Sequence, residues 1–89
     1  KSGVKKQAFD LVRLMVWQKG KWEDARKILV DIEGTEPEQF RQLVLACAVK
    51  EMAKEGGNAA RGFLVLEAFG RMFYGPADIW RAVYEVFAG

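Results

Sequence analysis

Apolar residues recur at three- and four-residue intervals in five segments of this chain, and none of it shows the two-residue alternation of a half-buried strand. Short breakers containing Gly, Pro or Asn separate the segments. The pattern predicts an all-α protein of about five helices packed as antiparallel hairpins. At 89 residues there is room for one domain, 1-89, which buries only about two thirds of the surface its unfolded chain exposes.

The first helix is expected from Val4 to Gln18, with Ala8, Leu11, Val12, Met15 and Val16 on its buried side and Phe9 and Trp17 flanking. "KGK" turns the chain into a second helix, Trp22 to Ile32, whose apolar face is Trp22, Ala25, Ile28, Leu29 and Ile32. In "GTEPE", Gly34 suits the left-handed residue after a helix end, Thr35 and Glu38 have the spacing of a capping box, and Pro37 fits a first turn. The third helix runs to about Lys54. Its seven consecutive apolar residues, Leu43 to Val49, place its middle at the centre of the domain or in an interface. After "EGG", Asn58 caps a fourth helix, "AARGFLVLEAFGRMF", and Pro76 opens a fifth with Ile79, Trp80, Val83, Tyr84 and Phe87 as its stripe.

Composition sharpens the expectation. With 51% apolar and 12% aromatic residues, the chain carries more apolar surface than one small core is expected to hide, which implies a partner. The net charge of +2 is spread over interspersed signs, with a mild basic excess near the N-terminus. There is no histidine, so histidine-based acid–base catalysis, Ser-His and Cys-His nucleophiles and histidine metal sites are excluded. A single cysteine, Cys47, points to a reducing compartment and hence the cytoplasm. The longest uncharged run, "QLVLACAV", is far too short to cross a bilayer. Because the chain opens on Lys1, it reads as a fragment, a processed form or part of a longer protein.

The order Gly20, Trp22, Ala25, Leu29, Ile32, Pro37 resembles the second half of a tetratricopeptide repeat. There a glycine lets the chain turn, an aromatic packs on the preceding helix, a small residue sits at the crossing and a proline opens the next repeat. The resemblance extends upstream to Phe9, Val12 and Val16, although Arg13 stands where that family has a small residue. It implies stacked helical hairpins used for protein binding. A small orthogonal helical bundle places a turn glycine and a small crossing residue in the same way, and is the alternative architecture.

No constellation carries chemistry. Glu67 within the fourth helix is matched four residues on by Arg71, the offset of a helical ion pair. Acidic neighbours such as Glu23 and Asp24, Asp31 and Glu33, or Glu36 and Glu38 follow no calcium-loop spacing. Gly62 and Gly70 bracket Leu66 at offsets of four and form a small-residue line for close helix packing. No catalytic, cofactor-binding or metal-ligating residue is predicted, and the chain is read as non-enzymatic.

Aromatic residues are numerous, and those near the C-terminus, Phe73, Tyr74, Trp80, Tyr84 and Phe87, are expected to line a patch or groove filled by a partner helix or a second copy of the chain. The alternative is a small nucleic-acid-associated regulator contacting phosphates through Lys5, Lys6, Lys19, Lys21, Arg61, Arg71 and Arg81. The first reading, an adaptor, assembly or chaperone-like module, is preferred because acidic residues dilute every basic cluster.

Overall fold

Among the described residues there are five helices, in the order the periodicity gives: α1 Val4–Trp17, α2 Trp22–Asp31, α3 Pro37–Ala53, α4 Ala59–Ala68 and α5 Pro76–Ala88. They are seen in a computed structural model that describes residues 3–17 and 21–88. Gln18, Lys19 and Gly20 therefore lie outside the described residues.

Local chemistry sets most of the boundaries. Asp24 accepts the Lys21 backbone N–H at 3.0 Å and secures the start of α2. At the other end of α2, Gly34 adopts φ +94°, a conformation that glycine enters without a Cβ clash. The cap of α3 is Glu36, whose Oε1 accepts from Gln39 N at 2.8 Å, with Pro37 in the first turn. Thr35 was expected to cap, and Glu38 does not fold back on it. Asn58 caps α4 as expected, accepting from Arg61 N at 3.1 Å. Asp78 accepts from Tyr74 N and Gly75 N at 2.8 and 3.3 Å and fixes the start of α5.

The fourth helix is shorter than its sequence suggests. It stops at Ala68 instead of continuing to Phe73, so the four-residue register expected to pair Glu67 with Arg71 is lost. The termination is imposed from α3. Arg41 donates to Phe69 O at 2.9 Å and forms a bidentate pair with Glu38, whose Oε1 also accepts from Phe73 N at 3.0 Å. One charge pair thus replaces the helical partners of the chain after α4.

Hydrogen bonding by Arg41 and then by the Phe73 N–H holds the Glu38 carboxyl well below the ordinary carboxylate value, at about 2. Because the folded value is the lower one, this stabilisation is present above pH about 4.5 and is lost as the pH falls toward about 2. Glu38→Gln is therefore expected to be less stable than the parent at neutral pH, with the deficit shrinking across that window. Urea midpoints of both proteins at several pH values measure it, and a pH-independent deficit would contradict the assignment.

The core lies around α1, which touches all four other helices and packs most extensively on α3. Its Ala8, Leu11, Val12, Met15 and Val16 are all 0% exposed and meet Phe40, Val44, Val65, Phe69 and Val83. Gly62 brings α4 against α3, since a Cβ there would overlap the Met52 side chain. Gly70, its expected counterpart on the small-residue line, lies beyond the helix. A central helix closed in by its neighbours is a small bundle, unlike a solenoid whose hairpins meet only adjacent repeats. The radius of gyration, 11.7 Å, agrees with the roughly 12 Å of a closed domain of this length.

The total accessible surface is that of an ordinary small monomer. The accessible area is 5497 Å², close to the roughly 5,300 Å² typical of a monomer of this mass. What stays outside is local: Val30, Val49, Phe63, Met72, Tyr74 and Tyr84 are each at least half exposed. No described helix is long and apolar enough to cross a membrane.

Candidate functional site: an apolar groove between α2 and α5

The amphipathic stripe of α5 carries Trp80, Tyr84 and Phe87 at offsets of four and seven, so all three face one neighbour. That neighbour is Trp22 at the start of α2. Its ring lies 6.1, 5.5 and 6.1 Å from those of Trp80, Tyr84 and Phe87, each pair edge-to-face. The cluster fastens the first turn of α2 to α5, and the two helices enclose a groove beside Trp80.

The groove has a volume of about 760 Å³, within the range of sites that bury most of a ligand. Leu29, Val30 and Ile32 of α2 and its C-terminal turn make one wall. The first turn of α5, Pro76, Ala77, Ile79 and Trp80, makes the other, and residues 33–37 close the end. Both prolines of the chain, each opening a helix, therefore meet in one concavity. A smaller hollow of about 280 Å³ continues past Ile32 toward Gly3, Val4 and Gln7. Val30 is 50% exposed although it sits among charged residues of an otherwise polar face.

Charge is one-sided there. Glu33 and Glu36 line the groove and Asp31 the hollow, while no Lys or Arg lines either among the described residues. Asp31 accepts from Gln7 Nε2, and Glu36 is committed to its cap. All three are exposed. In a chain of net charge +2, this is a local inversion of sign.

The sequence-predicted partner residues are divided by the fold. Phe73, 6% exposed and 5.4 Å from the Phe69 ring, belongs to the core. Tyr74 is 88% exposed on the connection to α5. Trp80 faces the groove, whereas Tyr84, 59% exposed, and the half-buried Phe87 brace Trp22. Leu29, Val30, Ile32, Pro37 and Pro76 line the groove and were not among the residues expected to meet a partner. The available signal was Val30, an apolar residue standing on the hydrophilic face of α2.

The basic residues are distributed over several elements. Lys6 pairs with Asp10 at 3.0 Å, and Arg81 with Asp78 at 2.9 Å and Glu85 at 4.0 Å. Arg61 donates to Met15 O and Val86 O at 3.3 and 3.1 Å, collecting carbonyls from the last turns of α1 and α5. Lys5, Lys21 and Arg71 are exposed on α1, before α2 and after α4. Lys19 is outside the described residues. Elsewhere, Arg13 and Lys54 lie 5.7 and 5.8 Å from the Phe9 ring.

Cys47 and Glu51 are the buried groups with titratable side chains among the described residues. Burial pushes the Cys47 thiol up, against the opposing pull of Lys50 and Lys5, which keeps it protonated and unreactive. Glu51, 1% exposed, accepts from Trp17 Nε1 at 2.7 Å and lies 2.9 Å from Lys54 Nζ. Burial pushes its carboxyl up, but Lys54 and Trp17, aided by Arg13, outweigh that and leave it below the usual range. Its carboxylate is thus held in the fold by Trp17 and Lys54. Among the described residues, no three His, Cys, Asp or Glu side chains are grouped to hold a metal.

No protein-family model matches the chain, and comparison with curated proteins and with solved structures gave no match.

Proposed function

We propose that the chain is a non-enzymatic protein-interaction module, of adaptor, assembly or chaperone-like type, that holds an apolar segment of a partner protein in the α2–α5 groove. The observation that carries this reading is the concavity itself: about 760 Å³, apolar on both walls, and opened to solvent beside the half-exposed Val30. The module's place is the cytoplasm, in keeping with its single unpaired thiol.

Selection of a random peptide library on the intact chain tests the reading. Bound peptides are expected to lose affinity at least about tenfold, near 1.4 kcal/mol, on the double variant Val30→Gln and Ala77→Gln. Both positions are exposed, so circular dichroism is expected to stay unchanged. Ligands that bind parent and variant equally would contradict the groove as the site. The nucleic-acid alternative has less support, because Arg61 and Arg81 are engaged within the fold.

A further inference from the structure

Resting on the reading of the groove as a protein-binding site, we infer that its occupant is a cationic amphipathic helix: two or three apolar side chains on one face, flanked by Lys or Arg. The apolar part of this assignment follows from the walls. A groove lined by Leu29, Val30, Ile79 and Trp80 and open along one side suits anchors presented at three- and four-residue intervals. The cationic part follows from the rim. Asp31, Glu33 and Glu36 border the groove and its continuation, and no basic side chain lines either among the described residues.

The rim charges act as steering and selecting groups. Asp31, Glu33 and Glu36 are solvent-exposed, so a basic flank reaches them without the desolvation cost of a buried ion pair. Their field favours approach of a positive segment and repels an acidic one of equal apolarity, which makes the contribution one of selectivity and association rate. A second copy of this chain fits less well: its apolar, half-exposed residues, such as Phe63 and Tyr84, lie on helices bearing acidic neighbours Glu67 and Glu85.

The test uses the peptides selected on the intact chain, resynthesised with their basic residues replaced by Gln or by Glu. Affinities are read by fluorescence anisotropy at low and moderate salt, on the parent and on Glu33→Lys. That position is exposed and takes no part in the α3 cap. The assignment predicts basic enrichment among the selected peptides. It also predicts about tenfold weaker binding for Glu-flanked versions, weakening of the parent peptides by salt, and a reduced preference on Glu33→Lys, where Asp31 and Glu36 remain to oppose the new lysine.

Equal binding by Lys-, Gln- and Glu-flanked peptides that still require Val30 and Ala77 would overturn the charge assignment and leave the groove standing. Selected peptides indifferent to the Val30→Gln and Ala77→Gln variant would overturn both. A dimer in light scattering that the same variant dissociates would place a second copy in the groove and overturn the peptide as its occupant.

Discussion

Arg61→Ala is expected to lower the unfolding midpoint by roughly 10–20 °C, corresponding to a loss of about 2–3 kcal/mol in a domain of this size. The guanidinium extends from the first turn of α4 to Met15 O in the last turn of α1 and Val86 O near the end of α5. Both carbonyls belong to helix ends, where the ladder supplies no internal donor and the dipole favours a cation. Alanine removes the donor by which α4 holds both α1 and α5. Arg61→Lys is expected to recover only part of the loss, since a single ammonium lacks the planar fork that serves two acceptors in different directions. Thermal unfolding followed by circular dichroism measures this. A midpoint unchanged in Arg61→Ala would show that water serves these carbonyls equally well, and would return Arg61 to the set of residues available for phosphate.

The second large effect concerns Glu51. Lys54→Met is expected to destabilise the protein by about 2 kcal/mol at neutral pH. That is less than the roughly 3–5 kcal/mol of a fully buried pair, because the Lys54 side chain is 56% exposed and Arg13 also acts on the carboxylate. The physical reason is the charge left behind. Without Lys54, burial's upward push on the Glu51 carboxyl is opposed only by Trp17 and Arg13, so the folded variant holds its proton more tightly than the parent does. Lys54 stabilises only the ionised carboxyl, so its contribution is lost as the pH falls through the carboxylate range, and the deficit of Lys54→Met should therefore shrink in acid. Adding Glu51→Met should return the double variant to within about 1 kcal/mol of the parent, although Trp17 loses its acceptor. A double variant less stable than Lys54→Met alone would mean that the Trp17 hydrogen bond outweighs the ion pair.

Legibility followed the range of the interaction. Helix starts and stops governed by neighbours in sequence were readable: Asn58 caps α4, Pro76 opens α5, and Gly34 takes the left-handed conformation anticipated for it. The end of α4 was not, because "AARGFLVLEAFGRMF" keeps helical periodicity while the group that ends it, Arg41, sits 28 positions upstream. Glu38 illustrates the same point. Its spacing from Thr35 suggested a local cap, but its partners are Arg41 and the Phe73 N–H, the latter 35 positions away.

The site was half legible. Aromatic spacing in α5 marked Trp80, Tyr84 and Phe87 as one face, and they do form one. What the spacing lacked was Trp22, which takes up most of that face from within the chain and shifts the opening toward the first turn of α5. Phe73 looked like a surface anchor because aromatics are too numerous for all to be central, yet after α4 ends at Ala68 the chain turns it onto Phe69 in the core. Arg61 looked like a surface cation, and only the convergence of α1, α4 and α5 reveals its carbonyl partners.

Amide chemical-shift mapping with a selected peptide tests most directly whether the groove beside Trp80 receives a partner segment. Perturbations are expected to be concentrated at residues 29–36 and 77–80, with small changes at Val49 and Phe63. Shifts centred instead on Val49, Phe63 or Lys54, with 29–36 and 77–80 unmoved, would contradict the groove as the site.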